Sequence, residues 1–305
     1  MEHHHLDYSL HSLFKYLFDK KLFIFLIPLL VVLVTAIWTL TIPNTYLSET
    51  TLSPTEEASG GGLNNLSGQL GGLASLAGIS IGGDSTDQVT VALEIIKSRQ
   101  FLSNFVEKYQ IKPQLMASTG WDDNSGELLL DEDIYDAISN TWTRTLSNGR
   151  PPEPTALEVY EKFMQLLTVE KDATTGLIKI SVEFFSPRLS KEWLSLLVNQ
   201  LNSDMRSREI QSTKENIEYL EAKVQQIGDI EMKSVFYQLI QEQTKQLMLA
   251  EVRSDFVFTI IDPPYTPELK HAPRRALICI AAGFLTGFLV MAWFTLVFLV
   301  TPRRV

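Results

Sequence analysis

The sequence predicts an α+β chain in which two terminal transmembrane helices bracket one large polar domain with a long projecting helix and a helical hairpin. Three observations predict it. Two runs near the ends, Leu22–Ile42 and Ala276–Val300, contain no charged residue. More than two hundred mostly polar residues separate them. Within that stretch no Pro or Gly interrupts the chain from Arg188 to Ile227.

Each apolar run is long enough to cross a hydrocarbon core of about 30 Å at roughly 1.5 Å per residue. Leu22–Ile42 is longer than a signal-peptide core, and no small-x-small site follows it, so an uncleaved anchor is expected. Lys15, Lys20 and Lys21 precede the first run, the next basic residue is Lys97, and Arg303 and Arg304 follow the second run. Both termini are therefore expected in the cytoplasm and the large loop outside. Arg274 and Arg275 run against this rule locally and are expected at the headgroup level. The expected boundaries are 1–21 cytoplasmic, 22–42 spanning, 43–275 external, 276–300 spanning and 301–305 cytoplasmic.

Composition excludes several classes. The only cysteine is Cys279, inside the second run, so the external domain has no disulfides. The net charge of −10 argues against nucleic acid as a partner. The five histidines are His3–His5, His11 and His271. No phosphate loop, nucleophile elbow or zinc spacing occurs. No catalytic residue, cofactor or metal is expected, and Asp131–Asp133 reads as a solvated helix start before Ile134.

Along the external domain, Asn44–Ser53 reads as a strand. Ser59–Gly83 is rich in Gly and Ser yet dotted with leucines, and reads as a flexible surface excursion or a loop docking on an apolar neighbour. Asp87–Tyr109 carries one helical pattern, with Val91, Ile95, Leu102, Phe105 and Val106 near one face, ended by Pro113 and Gly120. Trp121–Gly149 is ambiguous. Thr155 and Glu158 form a capping box for a helix with Leu157, Tyr160, Phe163 and Met164 inward. Asp172–Gly176 reads as a hairpin turn, and the strand after it buries Ile178, Ile180, Val182 and Phe184.

Ser186 and Pro187 start the long helix. Its first half carries a broad stripe around Trp193, Leu194, Leu197, Val198 and Leu201. Its second half narrows to Ile210, Ile217, Leu220, Val224 and Ile227, a seven-residue repeat. Ile217, Leu220, Val224 and Ile227 form a candidate oligomer seam, part of which a hairpin with Ile230–Arg253 would cover. Gly228 is the expected cap between the two. Phe256–Asp262 reads as a strand pairing with Asn44–Ser53. Then Pro263, Pro264, Pro267 and Pro273 make a stiff strut. Gly283 and Gly287 follow as a small-residue stripe for close helix packing.

This arrangement resembles the Wzz-type polysaccharide co-polymerases, the O-antigen chain-length determinants of Gram-negative inner membranes. The resemblance is carried by "ALEIIKSRQF" (92–101), "GLIKISVEFFSPRLSKEWLSLLVNQLN" (176–202), "LMLAEVRSDFVFTIIDPPYTPELKHAPRRALI" (247–278) and the membrane-proximal Pro/Gly motif ending in Gly283 and Gly287. It implies a non-catalytic inner-membrane protein with a periplasmic α/β base domain and an octamer-like homo-oligomeric ring. Such a protein would regulate the modal length of lipopolysaccharide O-antigen, acting on the growing lipid-linked polysaccharide made by a Wzy-type polymerase. An export adaptor for exopolysaccharide or capsule, working with a separate tyrosine kinase, is the alternative. The Ser59–Gly83 and Trp121–Arg150 regions are more elaborate than in the shortest members, and the nucleotide-binding domain of the kinase-fused relatives is not expected.

Overall fold

The computed structural model describes residues 16–55, 58, 88–146, 149–253 and 255–300. The Ser59–Gly83 segment, His3–His5, His11, Lys15, Arg303 and Arg304 lie outside the described residues. The chain mixes helix and strand and divides into two compact units, Tyr46–Leu269 and Met1–Thr45 with Lys270–Val305.

The central unit is built on β1 (Tyr46–Pro54), β6 (Leu167–Lys171), β7 (Ile178–Phe184) and β8 (Phe258–Asp262), with two small hairpins between β1 and β6: β2 (Ser118–Asp122) with β3 (Glu127–Leu130), and β4 (Tyr135–Asp136) with β5 (Thr141–Trp142). The four-stranded sheet has the order β6-β7-β1-β8, every pair antiparallel. The turn expected at Asp172–Gly176 joins β6 to β7. Gly176 adopts φ 72°, the left-handed region that glycine enters without a Cβ penalty. The Asp172 carboxylate accepts from the Thr174 and Thr175 amides at 2.7 and 3.0 Å. In β7 burial alternates as the sequence predicts, with Ile178, Ile180, Val182 and Phe184 inward.

The long helix covers β1 and β7. Ser186 accepts from the Leu189 amide and Pro187 takes the first turn, where its missing N–H costs nothing. Trp193 packs on Phe184 at 4.3 Å between ring centroids. The aromatic contacts continue from Trp193 to Phe163 (6.2 Å) and from Phe163 to Phe105 (5.6 Å). Each such buried ring contributes roughly 1.5–3 kcal/mol from removal of apolar surface from water. The helix runs Pro187–Val224, 38 residues or about 57 Å. It stops at a Gln225 cap, short of the expected Ile227. The chain reverses there, leaving Gly228 in the connection. Asp229 caps the returning helix Ile230–Val252 by accepting from Met232 N at 2.9 Å.

Several expectations are corrected. Asp87–Tyr109 is two helices, Gln88–Ile96 and Arg99–Lys108. Ser98 is extended between them and accepts from Phe101 N, because a serine hydroxyl competes for helix-start amides. The inward set is accordingly Val89, Ala92, Ile96, Phe101, Leu102, Phe105 and Val106, while Val91 and Ile95 are half-buried. Pro113 opens a further helix, Lys112–Ala117, rather than ending one. Asp131–Asp133 forms a turn before β4, with no helix start: Asp131 Oδ1 accepts from Asp133 N at 3.0 Å, the short-range bond that draws Asp toward turns. Leu157 points outward and Val159 takes the inward place beside Phe163.

The capping box at Thr155 and Glu158 forms as expected. Glu158 also accepts from Arg144 Nη2 at 2.7 Å, which ties the hairpin region to this helix. The Arg144 hydrogen bond, then the Thr155 amide, hold the Glu158 carboxyl below its usual range.

One buried side chain fixes the sheet edge to the long helix. Asn202 Oδ1 accepts from Val257 N (3.2 Å) and Phe258 N (3.0 Å), and Asn202 Nδ2 donates to Phe258 O (2.8 Å). Replacing Asn202 by Leu leaves two buried donors and one acceptor unpaired. A loss on the order of 3 kcal/mol follows, since each such group costs about 1–3 kcal/mol. Tryptophan fluorescence during urea unfolding of the detergent-solubilised N202L chain should show a clearly lower midpoint. An unchanged midpoint would mean that the β1–β8 ladder alone holds the strand.

Candidate functional site

In the terminal unit two apolar helices, Lys21–Leu40 and Arg275–Val300, pack against each other. Both are long and apolar enough to cross a membrane. Their outward faces carry exposed large side chains, among them Phe25, Phe284 and Phe288.

Of the two glycines in the predicted stripe, the structure gives Gly283 the closer approach. A Cβ built there meets Val32 Cγ2 at 2.8 Å, whereas one on Gly287 meets Pro28 Cγ at 3.9 Å. Val32 is β-branched and stiff about χ1, so it does not readily swing aside. Near the opposite end, Tyr16 stacks on Phe298 at 5.4 Å.

Arg275 closes the end near Thr41. Its Nε donates to Thr39 O at 3.0 Å, and its Nη2 donates to Ile42 O at 3.1 Å and Asn44 Oδ1 at 3.0 Å. The last carbonyls of a helix have no intrahelical partner and carry the negative end of its dipole, so a guanidinium satisfies both needs. An antiparallel bridge adds to this closure: Thr45 N donates to Ala272 O at 2.9 Å and His271 N to Thr45 O at 2.7 Å.

The predicted Pro/Gly motif is thus divided. Pro273, Gly283 and Gly287 belong to the terminal unit, and Pro263, Pro264 and Pro267 to the central one. In the central unit the proline segment is tied to β1 by side chains. Ser48 Oγ donates to Tyr265 O (2.8 Å) and Thr50 Oγ1 to Asp262 O (2.6 Å), and both residues are fully buried. Prolines have no amide to donate, so hydroxyls reaching the segment's carbonyls replace the missing ladder bonds.

The predicted seam is also divided. Leu220 and Val224 are buried with Phe236 inside the hairpin, and Ile227, Leu239 and Ile240 pack on that cluster. Ile217 is half-buried. Large apolar side chains elsewhere on the hairpin are exposed, including Tyr219, Ile230, Tyr237, Met248 and Val252. Among the described residues no group of three His, Cys, Asp or Glu side chains is placed to hold a metal ion.

Residues 7–109 match the family described as Wzz, chain length determinant protein. The matched segment takes in the first apolar helix, β1 and the helices Gln88–Ile96 and Arg99–Lys108. Two solved structures are similar. One is a full-length bacterial polysaccharide co-polymerase, 13% identical with a TM-score of 0.37, covering 94% of this chain and 96% of that one. The other is a fragment of WzzB, polysaccharide co-polymerase from Salmonella Typhimurium, 13% identical with a TM-score of 0.32, covering 75% of this chain and 100% of that one. No curated protein matches the chain. The Wzz segment contributes Val32 and the carbonyls of Thr39 and Ile42. Gly283 and Arg275, which they meet, lie outside it.

The Gly283 contact sets a size test. Gly283→Ala should weaken disulfide cross-linking between cysteines placed on the two apolar helices, and Val32→Ala in the same chain should restore it. Gly287→Ala should cross-link like the wild type. Equal cross-linking in all three chains would remove the close approach.

Proposed function

We propose that the protein is a non-catalytic polysaccharide co-polymerase of the inner membrane. On this reading it regulates the modal chain length of O-antigen added by a Wzy-type polymerase. The observation that carries the proposal is the Wzz match over residues 7–109. The paired apolar helices support a two-span anchor. Lys20 and Lys21 at the start of the first helix support a cytoplasmic N-terminus, with the central unit in the periplasm.

A scaffold of this kind acts by self-association, and the subunits are proposed to form a ring. With Leu220 and Val224 occupied inside the hairpin, the remaining contact surface is the exposed set around Tyr237 and Met248. Burying such a surface against a second copy removes apolar area from water, the main driving force of association.

Deleting the gene should leave polymer synthesis intact and flatten the length distribution on a silver-stained polysaccharide gel, and complementation should restore the mode. A ladder unchanged by deletion would remove the proposal. For assembly, Glu at both Tyr237 and Met248 should reduce the mass of the detergent-solubilised particle and leave helicity at the wild-type level. Glu at Leu220 should instead lower helicity, because it places a charge inside the hairpin. A native particle mass in the Tyr237/Met248 double variant would exclude that face from assembly.

A further inference from the structure

The region from Val106 to Glu153 holds a cleft of about 500 Å³ in the central unit, formed by the end of the Arg99–Lys108 helix, the Lys112–Ala117 helix and the β4–β5 hairpin. This lies within the roughly 300–1,000 Å³ range of small-molecule sites. The surface is mixed in chemistry, with two aromatic side chains beside three carboxamides, two carboxylates and one ammonium.

Three features set the cleft apart. The first is an aromatic wall. Tyr135 is buried behind Trp142, with ring centroids 4.9 Å apart and planes at 60°, so the half-buried indole is held in one orientation. The second is a set of carboxamides. Gln114 Oε1 is buried with no hydrogen-bond partner among the described residues. A buried acceptor left unpaired is costly, and a ligand hydroxyl would satisfy it. Asn140 Oδ1 accepts from the Tyr135 hydroxyl at 3.0 Å, which leaves the Asn140 amide nitrogen to donate. The third is the backbone that presents two of these carboxamides. Gln110 (φ 54°) takes the left-handed place just past the Arg99–Lys108 helix, where Ile111 N donates to Val106 O at 3.2 Å, and Asn140 (φ 53°) takes it in the β4–β5 turn. Both line this cleft.

Charge narrows the ligand class. Lys112 bridges Glu107 (2.5 Å) and Glu153 (2.8 Å), so the three charges leave a formal excess of one negative charge at the rim. A polyanionic ligand is disfavoured there. An indole face attracts the weakly positive C–H groups of a sugar ring, carboxamides both donate to and accept from its hydroxyls, and carboxylates accept from them.

We propose that this cleft binds one or two uncharged sugar residues of the growing polysaccharide, with Trp142 as the stacking platform and Gln110, Gln114 and Asn140 as hydroxyl partners. The proposal rests on the chain-length reading above and adds to it a contact between scaffold and polymer.

The test uses the full chain in detergent micelles. It is titrated with the repeat-unit oligosaccharide released by mild acid from the surface polysaccharide of the strain that carries the gene. Saturation-transfer NMR follows binding. Trp142→Ala should bind at least tenfold more weakly. Gln110→Gly and Asn140→Gly should each bind several-fold more weakly with an unchanged unfolding midpoint, because glycine accepts φ near +55° without strain. These two variants separate loss of binding from loss of fold. Equal binding by the wild type and all three variants, or no binding by the wild type, would each overturn the proposal. A ladder that depends on the gene together with unaltered variant binding defeats the cleft alone. A ladder unchanged by gene deletion defeats the chain-length reading.

Discussion

The three hydrogen bonds of Asn202 hold the central unit to one geometry. The long helix carries Trp193, the largest fully buried side chain, and β8 is an edge of the sheet that this helix packs on. Without a specific tie, an edge strand can slip in register and still bury similar area. The Asn202 carboxamide fixes both backbone groups of Phe258 at one point along the helix, because hydrogen bonds discriminate position where hydrophobic contact does not. The proline segment then leaves β8 from a fixed start, and Ser48 and Thr50 can meet its carbonyls.

The terminal unit follows the same logic in different chemistry. In lipid, apolar helices gain little from burying apolar surface, so packing density and satisfied carbonyls must hold them together. Gly283 provides the density and Arg275 the satisfaction. Arg275 also sits in the first turn of its own helix, where a positive charge meets the positive end of that dipole. Its bonds to three acceptors at the end of the neighbouring helix offset this.

Much of the architecture was legible because it depends on local rules. The Ser186–Pro187 start, the Thr155–Glu158 box, the Asp172–Gly176 turn and the alternation of β7 each follow from residues a few positions apart. Gly283 was legible as a small residue in a helix, but its contact with Val32 was not, since that contact depends on the rotation of two distant helices. Asn202 and Arg275 carry no local signature. An asparagine in a helix or an arginine before an apolar run is ordinary until a partner more than fifty residues away is placed beside it. The Leu220–Val224 repeat is plainly apolar, yet a seven-residue spacing does not say what covers it; Phe236 does so at Leu220 and Val224. Around Asp131 the three acids read as a helix start, whereas the carboxylate's reach to an amide two residues on makes a turn.

Chain order gives the sheet a time axis. β1 stands between β7 and β8, and its partners come late: the Glu49–Lys179 pair spans 130 residues, and the Thr50–Asp262 bond spans 212. At roughly 5–20 residues per second of synthesis, β1 waits on the order of 10–40 s for its second neighbour. Until β7 is made, a strand that ends as the interior of a sheet has two open edges, and until β8 is made it has one. The threonines and serines along it, which later bind the proline segment, are also what keeps that waiting strand polar.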